Sequence, residues 1–155
     1  MTTHIPPPAL ALAAALVQRA VAGERGPASP GRTTAAAALT LASMSMAGRA
    51  ARRFRHSGTT VKPLHPEEAS VLVTSGPNAV SRNPMYVGMA GVLLTHALYR
   101  GSWTALLPMA GFVAYIDRVQ VRAEEAALRE KFGPAYEAYL KSTPRWLDRR
   151  SLPLG

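Results

Sequence analysis

The chain has 155 residues, a formal net charge of +9, 48% hydrophobic and only 17% charged residues, and no cysteine. Its length fits one domain; the lack of cysteine excludes disulfides, thiol nucleophiles and cysteine metal sites, and His4, His56, His65 and His96 are scattered without ligand spacing, so no metal site is expected. Arg49, Arg52, Arg53 and Arg55, and again Arg118 and Arg122, stand beside apolar runs, a pattern of membrane flanks rather than of a nucleic-acid footprint.

After Pro6-Pro7-Pro8, residues 9–22 are apolar apart from Gln18 and Arg19. No Lys or Arg precedes them, which argues against a secretory signal. Gly23, Gly26, Pro27, Pro30 and Gly31 mark a connector. Residues 33–48 carry no charge and end at the basic cluster Arg49 to Arg55. A helix over them rises about 24 Å, against a hydrocarbon core of roughly 30 Å. Arginines at its end can snorkel and extend that reach. Small residues four apart, Ala36/Thr40 and Ser43/Ala47, predict close approach of a neighbouring helix.

Residues 56–83 form a long polar connector rich in glycine and proline. Connectors of this length are often functional. Within it, Ser70-Val71-Leu72-Val73-Thr74 reads as a surface strand or an extended segment. Residues 86–116 contain a single charged position before Asp117, Arg100, inside Arg100-Gly101-Ser102. The pattern predicts a helical hairpin: Tyr86 to Tyr99, a tight turn, then Trp103 to about Phe132, with a kink permitted at Pro108 and Gly111. Glu124, Glu125, Leu128 and Phe132 then share one side of that second helix. Gly133 suits a C-cap and Pro134 the first turn of a last helix, with Tyr136, Tyr139 and Leu140 as its apolar face. Pro144 stops it, and Trp146 suits a membrane–water interface.

The expected fold is therefore all-α: a polytopic membrane protein with about four transmembrane helices and a cytosolic C-terminal helical unit. Residues 1–51 supply two spans and residues 52–147 the core with the hairpin. Arg49, Arg52, Arg53, Arg55 and Lys62 place that end of the second block in the cytosol. The connector and the C-terminal helices then lie on the same side, and loops 23–32 and 100–102 lie outside.

Two polar groups stand out. Glu124 and Glu125 project from a helix leaving the bilayer, where an unpartnered carboxylate is costly. Arg118, Arg122 and Arg129 are close enough on the helix to pair with them, and an exposed, salt-bridged helix is the competing reading. Arg82-Asn83-Pro84 opens an apolar helix, with Asn83 as N-cap and Pro84 in the first turn. This is either simple helix initiation or a polar pocket at the helix entrance, followed by Tyr86 and by Gly88, which admits close backbone approach.

In order, Val73-Thr74-Ser75-Gly76-Pro77, Arg82-Asn83-Pro84-Met85-Tyr86-Val87-Gly88, Glu124-Glu125, Leu128, Phe132-Gly133, Tyr136, Tyr139 and Pro144-Arg145 resemble the isoprenylcysteine carboxyl methyltransferase and phospholipid methyltransferase superfamily of integral membrane enzymes. The resemblance covers roughly residues 52–147. It implies an S-adenosylmethionine site at the cytosolic face of the membrane. By the same resemblance Ser70, Val71, Leu72 and Val73 help hold the cofactor, as do Asn83, Pro84, Met85 and Tyr86, with Arg82 and Gly88 in the same motif. Glu124 contacts the cofactor and Glu125 stands beside it. The family places an arginine just before the glutamates toward the substrate; here Gln120 stands one turn before Glu124, which leaves Arg118 or Arg122 for that task. The family usually has His at the position of Asn83 and often Tyr at that of Asn78, where Asn78 removes a stacking partner for the adenine.

A sulfonium cofactor already carries an activated methyl group, so the protein must chiefly hold a nucleophile in line and exclude water. The sequence offers no dedicated base, which favours a carboxylate or another ionised acceptor. Arg118 or Arg122 would orient an anionic acceptor. The expected function is methyl transfer to a lipid-like or small amphipathic acceptor at the bilayer, with no nucleic-acid partner. Two alternatives stay open: a non-catalytic membrane module of this fold, and a nicotinamide-dependent membrane reductase of related fold.

Overall fold

Four of the six described α-helices start at a proline. In this computed structural model, which describes residues 5–23, 29–57 and 70–152, the helices are α1 (Pro7–Val21), α2 (Pro30–His56), α3 (Pro77–Val80), α4 (Pro84–Arg100), α5 (Leu106–Tyr115) and α6 (Val121–Ser142). At the first helical position the missing N–H costs nothing, and the fixed φ is already helical. Lys62, which entered the topology argument, lies with the rest of residues 58–69, and with residues 24–28 of the first connector, outside the described residues.

The all-helical expectation holds among the described residues, with shifts in the boundaries. The second block is longer than its charge-free run. α2 has 27 residues and continues through Arg49–Arg55 to His56, so that it rises about 40 Å. Pro108 does not kink the hairpin's second helix. A 3₁₀ turn at Trp103–Ala105 leads into α5, and Pro108 falls in the first turn of α5, where no N–H is required. The departure from α-helical winding comes at Ile116–Gln120, a π-helical turn that joins α5 to α6. No described helix is both long and apolar enough to cross a membrane.

α2 and α4 pack antiparallel through their smallest residues. A Cβ placed on Gly88 would lie 2.7 Å from Ala47 Cβ and from the Ser43 carbonyl oxygen, and one on Gly91 would lie 2.1 Å from Ser43 Oγ. The predicted small-residue stripe at Ser43/Ala47 therefore meets two glycines. The backbones approach too closely for any larger residue.

α1 is fixed against α4 and α5 by one buried amide. Gln18 is fully buried, and its Nε2 donates to the carbonyls of Leu93 at 2.9 Å and Ala105 at 2.7 Å. Its Oε1 lies 2.9 Å from His96 Nδ1. Because the amide nitrogen is engaged as donor, Oε1 accepts and Nδ1 of His96 carries the proton. The carbonyls at the end of α1 are taken by Arg100 Nη2, donating to Gly23 O at 2.6 Å, and by Thr104 Oγ1, donating to Val21 O at 2.8 Å. Ala14, Tyr86, Leu93, Phe112, Ile116 and Val121 form the apolar centre of the bundle.

Candidate functional site

The chain from Gly76 to Asn83 and the tail from Thr143 to Trp146 close on each other at the entrance of α4. Arg82 N donates to Pro144 O at 2.9 Å, while Ser81 Oγ and Asn83 Nδ2 both donate to Arg145 O at 3.0 Å. Asn83 does occupy the N-cap position of α4, but its side chain makes no cap bond. The reason is competition: the amide is committed to the Arg145 carbonyl across the fold.

Under this crossing lies a charged cluster. Glu125 is buried, and its carboxylate accepts from Arg82 Nη2 at 2.8 Å and from Arg145 Nη2 and Nε at 2.6 and 2.9 Å. Arg82 Nη1 also donates to the carbonyls of Leu140 and Thr143, both at 3.2 Å. Arg145 Nη1 and Trp146 Nε1 share Asp117 Oδ1, at 3.1 and 2.8 Å. Two arginines on one buried carboxylate satisfy it nearly completely. Glu125 thus ties α6 to the entrance of α4 and to the tail.

This arrangement corrects the expected local pairing. Arg129 Nε goes to Glu137 at 2.6 Å instead, across the turn at Gly133. Gly133 has φ 46° and splits α6 into two helical pieces, as its C-cap and Pro134 predicted. That sharp turn brings Glu137 back to Arg129, beyond the reach of spacing rules that assume one straight helix.

Glu124, one residue earlier, has a different environment. Tyr86 Oη donates to its Oε1 at 2.5 Å and Gln120 Nε2 donates to the same oxygen at 2.8 Å. Its Oε2 makes no bond among the described residues. Burial raises the Glu124 pKa to about 7, with neighbouring Glu125 adding to the rise and the two donors opposing it. The pair Glu124-Glu125 therefore separates into a saturated carboxylate and one with an open oxygen and a titration near neutrality.

The other expected site residues distribute as follows. Tyr86 faces α6, while Gly88, two residues and about 200° further round the helix, packs on α2. Gly88 thus admits a helix rather than a ligand. Pro84 is buried in the first turn of α4 and Met85 is half-buried. Ser70, Val71, Leu72 and Val73 form no strand. They run up to Ser75, whose Oγ accepts from Arg53 Nη2 at 2.7 Å and from Nε at 3.1 Å, which ties this segment to the end of α2. Val73 is buried there and Ser70 and Val71 are exposed. Arg118 and Arg122 are exposed, whereas Gln120, Val121 and Glu125 are buried. The helical turn puts the two arginines on the outer side, away from Gln120 and its partner Glu124. Trp146, expected at a membrane–water interface, is half-buried with its Nε1 on Asp117.

Three contributors were given no role in the site by the sequence. Gln120 was noted only as standing one turn before Glu124, although spacing four is the signal for a side-chain pair. Arg145 appeared only within the Pro144-Arg145 motif, and its meeting with Asp117 and Glu125 comes from the folding of the tail.

The Glu124 carboxylate, engaged through one oxygen, fits a cationic ligand group. An open carboxylate oxygen at Glu124 suits an ammonium or a sulfonium. Two further polar atoms nearby, Asn78 Oδ1 and Arg82 Nε, are buried without a partner among the described residues.

The family model described as phospholipid methyltransferase matches residues 32–135, a stretch that runs from α2 to just past the turn at Gly133. The chain is 35% identical over 63 residues to an uncharacterized protein of Haemophilus influenzae, which covers 41% of this chain and 100% of that protein. No solved structure matches the chain.

Proposed function

The chain belongs to the phospholipid methyltransferase family, within the isoprenylcysteine carboxyl methyltransferase-like superfamily, and from that membership we propose that it transfers the methyl group of S-adenosylmethionine to a nucleophile, such as a carboxylate, on a lipid-like or small amphipathic acceptor. The observation that carries this reading is the Glu124 site: a carboxylate held through one oxygen by Tyr86 and Gln120, with the other oxygen open.

The cofactor supplies an activated methyl on a sulfonium, so no strong base is required of the protein for an ionised acceptor. Glu124 Oε2 accepts hydrogen bonds from a cationic ligand group, and its charge offsets that cation. Tyr86 and Gln120 fix the carboxylate so that little is lost in ordering it on binding. The Arg82–Glu125–Arg145 cluster holds the α4 entrance, α6 and the tail in register around it. Arg118 and Arg122, on the outer side, are placed to meet an anionic head group rather than to line the Glu124 site.

The same reading puts the bundle in a bilayer with its site facing the cytosol. Leu12, Leu16, Leu41, Met44, Leu107 and the 85% exposed Trp103 point outward from α1, α2, α5 and the 3₁₀ turn before it. A surface so apolar supports a lipid-facing exterior. α1 and α4 rise only about 22 and 26 Å, so flanking arginines and local thinning of the bilayer make up the difference. The basic end of α2, tied by Arg53 to Ser75 ahead of α4, supports the cytosolic side for this end of the bundle.

The test is calorimetric titration of the detergent-solubilised chain with S-adenosylhomocysteine, followed by radiolabelled methyl transfer to membranes and extracted lipids. Binding and a labelled amphipathic product are expected. Helical protein that binds neither this ligand nor the methyl donor would remove the enzyme reading and leave a membrane module. Binding of a reduced nicotinamide in its place would point to a reductase.

A further inference from the structure

α2 outruns its own charge-free stretch. Residues 33–48 carry no charge, and the helix then continues through Arg49–His56 with four arginines and one histidine. That extension rises about 12 Å, or roughly two turns. The buried stripe Ala36, Ser43 and Ala50 marks the side that meets α4. Arg49, Arg52 and His56, spaced three and four apart, share the side turned away from it, and all three are exposed. Arg55 is exposed on the flank of the same side.

These cations are not used by the fold. Arg53 is committed to Ser75 Oγ, but Arg49, Arg52 and Arg55 make no hydrogen bond or ion pair among the described residues. The paired carboxylates there, Asp117, Glu125, Glu137 and Asp148, all stand in the π turn, α6 or the tail. The helix dipole favours cations in the last turn, which accounts for Arg53, Arg55 and His56. It does not account for Arg49 and Arg52, which stand before that turn and repel each other across one turn of helix. An anion held between them would remove that repulsion.

We propose that Arg49 and Arg52, with His56 one turn on, bind the phosphate of an anionic phospholipid on the outer side of α2. This rests on the placement of the bundle in a bilayer and is independent of the methyl-transfer reading. With the charge-free run in the hydrocarbon, Arg49 enters the head-group layer, which is roughly 5–8 Å deep on each face of the bilayer. The outer side of α2 itself marks that level: Leu41, Ser45 and Gly48 are exposed and uncharged, and the cations begin at the next residue. Guanidinium forks suit phosphate oxygens. A zwitterionic lipid also carries a phosphate, but its own ammonium offsets the charge, so a head group with net negative charge is preferred.

The experiment follows the unfolding midpoint of the full chain in an uncharged detergent, titrated with dioctanoyl phosphatidylglycerol or dioctanoyl phosphatidylcholine. The two lipids share their tails and differ in head-group charge, and a lipid that binds the folded chain raises the midpoint. Phosphatidylglycerol should act at roughly ten- to thirty-fold lower concentration. Salt near 1 M, where the Debye length is about 3 Å, should erase the difference. Arg49→Gln/Arg52→Gln should lose most of the preference with an unchanged lipid-free midpoint, and Arg49→Lys/Arg52→Lys should keep most of it. Lys141→Gln/Arg149→Gln, which removes the same charge elsewhere, should keep it all. Equal response to both lipids overturns the site and leaves the bilayer placement standing. A preference that survives Arg49→Gln/Arg52→Gln, or that falls equally in the Lys141 and Arg149 control, overturns it too. So does early unfolding of the Arg49→Gln/Arg52→Gln chain without lipid, which would make the arginines structural. Stronger stabilisation by duplex DNA would give this face to nucleic acid, and a midpoint that rises with protein concentration alone would give it to a second copy; either result overturns the proposal. Response to neither lipid overturns the site, and the bilayer placement falls with it if the chain also stays dispersed without detergent.

Discussion

The Tyr86 hydroxyl donates to Glu124 Oε1 at 2.5 Å and so joins the first turn of α4 to the first turn of α6. The adjacent glutamate takes no part in this bond; it is held by Arg82 and Arg145. Two neighbouring carboxylates of the same chemistry are thereby given different tasks by the elements that face them.

Glu124→Gln should weaken S-adenosylhomocysteine binding by roughly ten- to one-hundred-fold, the loss of one charge-assisted bond of about 1.5–3 kcal/mol. It should leave thermal stability level or improved, because a neutral group suits a desolvated position. Glu125→Gln should do the opposite. It strands two arginine guanidiniums and should lower stability by roughly 3 kcal/mol, with affinity nearly unchanged in the folded fraction. Calorimetry and denaturant unfolding of both variants separate the roles; equal losses of affinity would show that the helix face is misassigned.

The raised pKa of Glu124 gives two pH dependences of opposite sign. A carboxyl whose pKa is about 7 when folded and about 4.3 when unfolded binds more protons in the folded state between those values. Its contribution to stability is therefore full below the unfolded pKa and is lost as pH rises toward 7, a change of order 3 kcal/mol. Ligand binding runs the other way: the ionised form receives the cation, so affinity should climb with pH up to about 7 and level above it. Titrations from acid to mildly alkaline pH should show both trends, and both should disappear in Glu124→Gln.

Gly91→Ala should destabilise the α2–α4 pair by about 1–3 kcal/mol through overpacking, since its Cβ would stand 2.1 Å from Ser43 Oγ. Adding Ser43→Ala should recover part of the loss, because the nearest remaining atom is then Ser43 Cβ at 3.0 Å. Gly88→Ala should not be rescued in this way, as it meets the Ser43 carbonyl oxygen at 2.7 Å. Unfolding midpoints of the single and double variants decide it.

Impermeant thiol labelling in sealed vesicles tests the topology, and the absence of native cysteine leaves a clean background. Cysteines introduced at Arg52 and at Lys141 should react from the same, cytosolic side, and one at Gly101 from the other. Labelling of the first two from opposite sides would sink the proposed arrangement.

By itself the sequence determined where α4 begins, because Pro84 suits a first helical turn, and where α4 ends and α6 turns, because Gly101 and Gly133 take positive φ; the starts of α2 at Pro30 and of α3 at Pro77 lay in what it read as connectors. It also determined that a close helix pair would form at Ser43/Ala47, since only small side chains permit it, and it carried the family in an ordered set of motifs. These are local properties, fixed by φ restriction, volume and spacing. Only the tertiary structure decided which partner each polar group has. Glu125 pairs with Arg82 and Arg145, 43 and 20 residues away, rather than with the arginines of its own helix. Asn83 gives its amide to Arg145 instead of capping α4, and Gly88 receives a helix instead of a ligand. A charged or amide side chain can reach several partners at helical spacing, so the choice depends on which other segments the fold brings within hydrogen-bond distance, and that is set by the turn at Gly133 and the return of the tail across α4.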